Sequence, residues 1–414
     1  MQARAIPVRG ARRPRSRPYV RTPFAAVILS LLAFLSPALT LAPINAGERM
    51  AGGPGISRPA AGPRLPQLLD ADGWTRPPIL SRPMALPAAP PDIVDTSRWE
   101  VALETARASA GTYGVTFAAV RDGKLLWAGS SGRARDGRTP LAPESPLVIG
   151  SVTKTFVAAT VLQLVEEGQM QLTDSIRDHL PTLGSVSREV TIGQLLDHTS
   201  GLADLFNDTT RRGLEDHPGK AWEVADVLAS LHAPWYKPGE GWAYANTNYF
   251  ILGLLIEHLT GATLAAELER RFTDPLSLDA IHVLTGLETD APLEPAWTSI
   301  FWASGAMRAS AADLARWGDR LYDGDLLAPA TRTAMLKVND DDYGLGVQKI
   351  ELTGPDGFGH TGLLNTYTTL LVHVPDANVT LALLVNRSHV DLNGMLTVEP
   401  PGGGPSLMEL AADG

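Results

Sequence analysis

The sequence holds three short stretches whose side chains suit nucleophilic chemistry. The first is Ser151-Val152-Thr153-Lys154. Residues three apart on a helix share a face, so a serine at the helix start has a lysine amine one turn away. A hydroxyl becomes a useful nucleophile when a neighbour removes its proton. Lys154 is placed to do that, or to hold another base in its reactive form. The helix N-terminus adds N–H groups and positive potential, which suit a developing oxyanion. In isolation the same spacing also fits a helix cap followed by a surface lysine. The flanks argue for more: an apolar approach (PLVIG, 146–150) and an apolar helix (FVAATVLQLV, 156–165) would half-bury Lys154 and demand a partner for it.

The second stretch is Tyr244-Ala245-Asn246. A lysine ammonium beside a phenol favours the phenolate, so Tyr244 is expected to have a lowered pKa, to accept the serine proton and to pass it to the leaving group. Asn246 can bond both Lys154 and a substrate carbonyl. The third stretch is His360-Thr361-Gly362, ahead of a strand pattern. Gly362 permits close approach of another backbone, and a strand edge there can pair with an extended substrate. The N–H of Leu363 then joins that of Ser151 as an oxyanion donor. His217-Pro218-Gly219 and Lys237-Pro238-Gly239 have related patterns, but they lie in loop-like sequence and their proline removes a donor. The nine histidines are scattered without metal-site spacing, there is no cysteine, and no glycine-rich phosphate loop opens a helix, so no metal or cofactor is expected.

Positioning these groups requires a scaffold. Residues 97–110 suit an amphipathic helix. Strands are expected from Val115 to Val120 and from Lys124 to Ala128, joined by an Asp122-Gly123 hairpin turn. A helix runs from Ser151 to Glu167 and is closed by Gly168. Thr191 with Gln194 forms a capping-box pattern, Tyr249 to Leu259 reads as a helix stopped near Gly261, and Ser310 with Asp313 caps a helix through Leu321. Strands return at Tyr343 to Lys349, Tyr367 to Val374 and Val379 to Asn386, with a turn at 375–378 between the last two. Strands, then helices, then strands imply one α+β sheet built from both chain ends, with a helical lobe inserted.

Taken in order, S-x-x-K, Y-x-N and H-x-G resemble the serine β-lactamase and penicillin-binding superfamily. The likeness is greatest to its class C β-lactamase and D-alanyl-D-alanine carboxypeptidase branch, which also includes esterases and D-aminopeptidases. It extends to IGSVTKTF (149–156), LLDHTSGL (195–202), YANTNYFILG (244–253), ASGAMRASAADLARW (303–317) and YGLG (343–346), and so spans about residues 95 to 387. The resemblance implies a β-lactamase-like fold: an antiparallel sheet flanked by helices, a helical lobe, and a site in the cleft between them. It implies that Ser151 is acylated, that Lys154 and Tyr244 exchange its proton, and that Tyr244 activates water. Asn246 would orient substrate, with His360, Thr361, Gly362 and Leu363 lining the binding strand. His198 would be structural. Two features depart from the family pattern. His360 stands where many β-lactamases carry lysine, a weaker anchor for a substrate carboxylate. The Pro-Gly run after residue 398 breaks the long closing helix, so residues 391–414 are expected to be an irregular tail.

The net charge is -10, and residues 1–50 hold eight arginines against one glutamate, leaving -17 for the rest. Such an acidic body argues against nucleic-acid partners. The basic stretch to Arg21, followed by an apolar run from Phe24 to Leu41, has the layout of an export signal or signal anchor over residues 1–46. A Pro/Gly/Ala-rich linker follows over 47–92, ahead of the folded region at 93–390. The expected protein is therefore extracytoplasmic and acts on a peptide or other small molecule. Aromatic residues Phe206, Trp222, Trp235, Tyr236 and Trp242 are candidates to line its pocket. Amidase or peptidase, esterase and β-lactamase chemistries all remain open, as does a non-catalytic binding protein on the same scaffold.

Overall fold

The computed structural model describes residues 96–286 and 293–413, all within one compact unit. The expected signal and linker, residues 1–92, lie outside the described residues. Nine strands are described, β1 (Gly114–Arg121), β2 (Lys124–Gly132), β3 (Leu147–Val148), β4 (His282–Val283), β5 (Met307–Ala309), β6 (Gln348–Ile350), β7 (Gly357–Leu364), β8 (Tyr367–Val374) and β9 (Val379–Val385). Six of them form a sheet in the order β2-β1-β9-β8-β7-β6, antiparallel throughout. β1 and β9 pair over Val115↔Val385 to Arg121↔Val379, so the two ends of the chain meet at the sheet centre. The Asp122-Gly123 turn has both residues at positive φ (51° and 73°), as a twisted two-residue hairpin requires.

The sheet separates two apolar clusters. On one face, α1 (Thr96–Ala110) packs Trp99, Leu103 and Ala106 onto Phe117 and Trp127; the Trp99 and Trp127 rings stack at 5.4 Å. On the other face lie α2 (Thr153–Glu166), α3 (Asn246–Thr260), α4 (Pro295–Gly305) and α5 (Ala311–Tyr322): α5 packs on the sheet, α2 and α4 reach β7, and α3 packs on α2 and α4. Because both faces are covered, β9 (VTLALLV) is buried at every position, and its apolar run has no alternation.

Three elements differ from the sequence reading. The expected strand over Tyr343–Lys349 contracts to Gln348–Ile350, because Gly344 N–H turns back to the Val347 carbonyl and Gly346 adopts φ 77°. The residues before the strand form a loop that carries the Tyr343 ring inward. α3 begins three residues earlier than its apolar period, at Asn246. Residues 391–414 are not an irregular tail. They hold two short helices, α6 (Leu392–Thr397) and α7 (Leu407–Asp413), on either side of the Pro-Gly run. Met395, Leu396, Leu407, Leu410 and Ala411 are buried against α1 and β9, so the break interrupts the closing helix without removing its cover.

Candidate active site

Ser151 sits in a single 3₁₀ turn, Gly150–Val152, that leads directly into α2. Side chains three apart eclipse in such a turn, which brings Lys154 Nζ to 3.1 Å from Ser151 Oγ. Two contacts anchor the entry to the turn: Ile149 N–H donates to the Met307 carbonyl, and Thr369 Oγ1 to the Val148 carbonyl. α2 is held from behind by a Phe156–Trp317 stack at 4.0 Å and by a bond from Trp317 Nε1 to Thr155 Oγ1. Eleven of the fourteen residues of α2 are buried, so it is a core helix rather than a surface one, and Lys154 has no exposed area.

Lys154 has three hydrogen-bond partners: Ser151 Oγ, Asn246 Oδ1 at 2.8 Å and the Ser304 carbonyl at 2.7 Å. Ser304 is in the last turn of α4, where carbonyls have no partner further along the helix. Burial lowers the Lys154 pKa to about 7, against the opposing pull of the Asp204 carboxylate. Its Nζ also stands 4.8 Å from the centre of the Tyr244 ring.

Tyr244 hydrogen-bonds Ser151, as its place in the motif order suggests, but its pKa shift is opposite to expectation. Burial pushes the phenol well up; the Ser151 bond opposes this, and Asp204 adds to it. Desolvation is the largest influence on the phenol. Tyr244 is therefore a protonated hydroxyl at neutral pH.

His360 is reached by the fold but does not face the cleft. It has no exposed area; Nδ1 lies 2.6 Å from the Thr361 carbonyl and Nε2 lies 2.9 Å from Tyr343 Oη. A carbonyl can only accept, so Nδ1 carries the proton and Nε2 accepts from the tyrosine. Burial and the nearby lysine lower its pKa to about 3, which keeps it neutral. The expected role as a weak carboxylate anchor is thus replaced by a buried brace between β7 and the 343–346 loop.

The rest of the third motif lies where the spacing put it. β6 pairs with Gly357 to Gly359 only at the start of β7, and the remaining edge runs past the Ser151 turn. Thr361 N–H points to that edge, where it meets Gln348 Oε1 at 2.9 Å. Strand alternation sends Leu363 N–H the same way. Two glycines allow the approach: a Cβ on Gly150 (φ 51°) would stand 2.8 Å from Leu363 N, and one on Gly362 would stand 2.0 Å from the Ile149 carbonyl oxygen. The Leu363 N–H therefore points to the free edge of β7, beside the turn that carries Ser151.

Sequence reasoning missed Asp204 and the role of the LLDHTSGL stretch. Between them, residues 198–204 and 244–248 are fastened by side-chain bonds. Ala245 N–H and Asn248 Nδ2 both meet His198 Nδ1, Ser200 Oγ donates to Asn248 Oδ1, Thr247 Oγ1 to the Ala203 carbonyl, and Asn246 N–H to Asp204 Oδ1. The His198 ring lies tilted against the Tyr244 ring, with centres 4.3 Å apart. A turn pattern of D-H-T-S-G type signals a loop but not the loop it grips. The five candidate aromatics part company: Phe206 packs on Phe301 at 5.6 Å, Trp222 packs on the lobe core, Tyr236 backs Gly201, Trp235 is exposed, and Trp242 approaches Tyr343 at 6.0 Å beside the site.

Comparison with known proteins gives the family and the fold. Penicillin-binding protein 4 of Amycolatopsis lactamdurans is 29% identical over 331 positions, which cover 70% of this chain and 85% of that protein. A D-aminopeptidase of Gluconobacter oxydans is 24% identical over 317 positions, covering 70% of this chain and 59% of the longer relative. Among solved structures, a D-stereospecific amidohydrolase from Streptomyces sp. superposes with a TM-score of 0.61 at 29% identity, over 72% of this chain and 96% of that one. The family model described as Beta-lactamase matches residues 100–397, and with that match the chain belongs to the beta-lactamase family, as a serine hydrolase with the β-lactamase-like fold.

Proposed function

We propose that this serine hydrolase cleaves amide bonds of D-configured amino acids through an acyl-enzyme on Ser151, with Lys154 as the general base. The observation that carries the reading is the trio of acceptors around Lys154. The Asn246 and Ser304 oxygens can only accept, so they take two N–H bonds whatever the state of the amine. The third position faces Ser151. It holds a proton when Lys154 is an ammonium and a lone pair when it is neutral. With a pKa near 7, the neutral form is present at neutral pH.

In the first step Lys154 takes the Ser151 proton as Oγ bonds the substrate carbonyl carbon, and the oxyanion is met by the N–H groups of Ser151 and Leu363. The C–N bond then breaks, and the leaving amine takes a proton by way of the Tyr244 hydroxyl. Water reverses the sequence on the ester. The D preference is supported by the names of the aminopeptidase and amidohydrolase relatives. β7 (GFGHTGLL) carries no lysine or arginine, and His360 is buried and neutral. That favours leaving groups without a carboxylate, and so an amidase or aminopeptidase over a β-lactamase. The basic and apolar N-terminal sequence supports export, which would put the activity outside the cytoplasm.

The test is hydrolysis of D-phenylalanine amide, its L enantiomer and benzylpenicillin by the purified protein, with Ser151→Ala alongside. Turnover of the D-amide above the L-amide, abolished by Ser151→Ala, is the expected result. Benzylpenicillin turned over faster than either amide would overturn the amidase reading in favour of a β-lactamase.

A further inference from the structure

We propose that Asp204 is a positioning residue of this site: it locks the Asn246 amide so that its oxygen faces Lys154, and its carboxylate is the counter-charge to that amine. The inference rests on Lys154 being the base, as argued above.

Asp204 is surrounded by donors. Oδ1 accepts from Asn246 N–H at 2.9 Å and from Phe206 N–H at 3.3 Å, and Oδ2 accepts from Asn246 Nδ2 at 3.2 Å. Burial raises the Asp204 pKa and its N–H donors oppose that rise; every contact asks for an acceptor, so the carboxylate form is the one that fits. An amide side chain can present either its oxygen or its nitrogen to a neighbour. The bond to Asp204 claims the Asn246 nitrogen and thereby turns Oδ1 toward Lys154 Nζ, 2.8 Å away. Without that bond, the amide can rotate and oppose its N–H₂ to the lysine donors.

The charge acts in parallel. The groups that face Lys154 come from several elements: Ser151 below it, Tyr244 and Asn246 at the start of α3, Tyr249 with its ring centre 5.4 Å away, Ser304 at the end of α4, and His198 and His360 further back. Both histidines are kept neutral by burial, and the tyrosines by their raised pKa values. Asp204 is the anion that acts on Lys154, and it holds the amine's pKa above what burial alone would leave.

The experiment compares pH profiles of kcat/KM for D-phenylalanine amide in the wild type, Asp204→Asn, and the exchange variant that combines Asp204→Asn with Asn246→Asp. Asparagine at position 204 keeps an acceptor for the backbone N–H of residue 246, so the start of α3 stays capped. In the single variant it also places a second amide against the Asn246 amide, and one of the contacts becomes donor against donor. The expected result is a roughly ten- to hundredfold loss of kcat/KM, with the acidic limb moved about one unit or more to lower pH. The exchange variant restores the donor-to-acceptor order, with the new amide at position 204 donating to the new carboxylate at position 246. It recovers activity and moves the limb to higher pH, because the anion now touches the lysine. A role in folding alone would lower activity without moving the limb in opposite directions, and that outcome overturns the proposal. A wild-type profile with no limb near neutrality would instead remove Lys154 as the base, and so overturn the reading beneath it.

Discussion

At the scale of single residues, the groups that were legible in the sequence are those whose partners lie within the same short motif. Ser151 and Lys154 meet because they are three apart, and Tyr244 and Asn246 share one turn into α3. Asp204 and the Ser304 carbonyl have no such signature. One is a lone carboxylate in a loop and the other a backbone oxygen, and each matters only because tertiary structure delivers it to Lys154 or its partner. The direction of the Tyr244 shift was missed for a related reason: spacing shows that a cation is near but not that the site is dry. The base assignment has a direct consequence. A buried amine with a lowered pKa is active when neutral, so kcat/KM should rise with pH through about 7 and then level off. Lys154→Arg retains the cation but cannot lose its proton in this range. It should lose about 10²–10⁴ in kcat, with no recovery at higher pH, and steady-state kinetics across the neutral range would check both expectations.

At the scale of elements, the site depends on β7 lying against the Ser151 turn. This contact is between backbones, and it exists because Gly150 and Gly362 leave room for it. The glycines were visible in the sequence, but their opposite partners were not, since residues 150 and 362 are joined by a strand and a turn that belong to different ends of the chain. Gly362→Ala adds a methyl group whose carbon would stand 2.0 Å from the Ile149 carbonyl oxygen. One of the two segments must retreat, at a cost of about 1–3 kcal/mol. The retreat also withdraws Leu363 N–H from the reacting carbonyl, so kcat should fall by more than the loss of stability explains. Gly184→Ala is the control: nothing lies within 4 Å of the added carbon, and both melting temperature and kcat should stay unchanged.

At the scale of the whole molecule, the order of strands, helices and strands was enough to infer a sheet closed by both chain ends, and β1 pairing with β9 is that closure. The C-terminal cover was hidden because α6 and α7 span six and seven residues, too short to display a helical period around a Pro-Gly run. The two clusters on opposite faces of the sheet then divide the work. The site-side cluster contains Val152, Phe156 and Tyr249, which lie around the Ser151 turn and α2, and the opposite cluster contains Leu396 and Leu410 with α1. Leu396 is fully buried, so Leu396→Ala should lower the unfolding free energy by about 2–5 kcal/mol in denaturant titration. Because the sheet stands between that cavity and Lys154, the pH profile and kcat of the folded fraction should be those of the wild type. Deleting residues 391–414 removes Met395, Leu396, Leu407, Leu410 and Ala411 together, along with the Ala411 and Ala412 carbonyls that Arg121 binds. Each large side chain contributes about 1.5–3 kcal/mol by burial, so their sum approaches the whole surplus of about 5–15 kcal/mol that holds a domain folded. The shortened chain should lose its cooperative thermal transition and expose the far face of the sheet to a hydrophobic dye. A cooperative, active protein without those residues would mean that α1 alone covers that face.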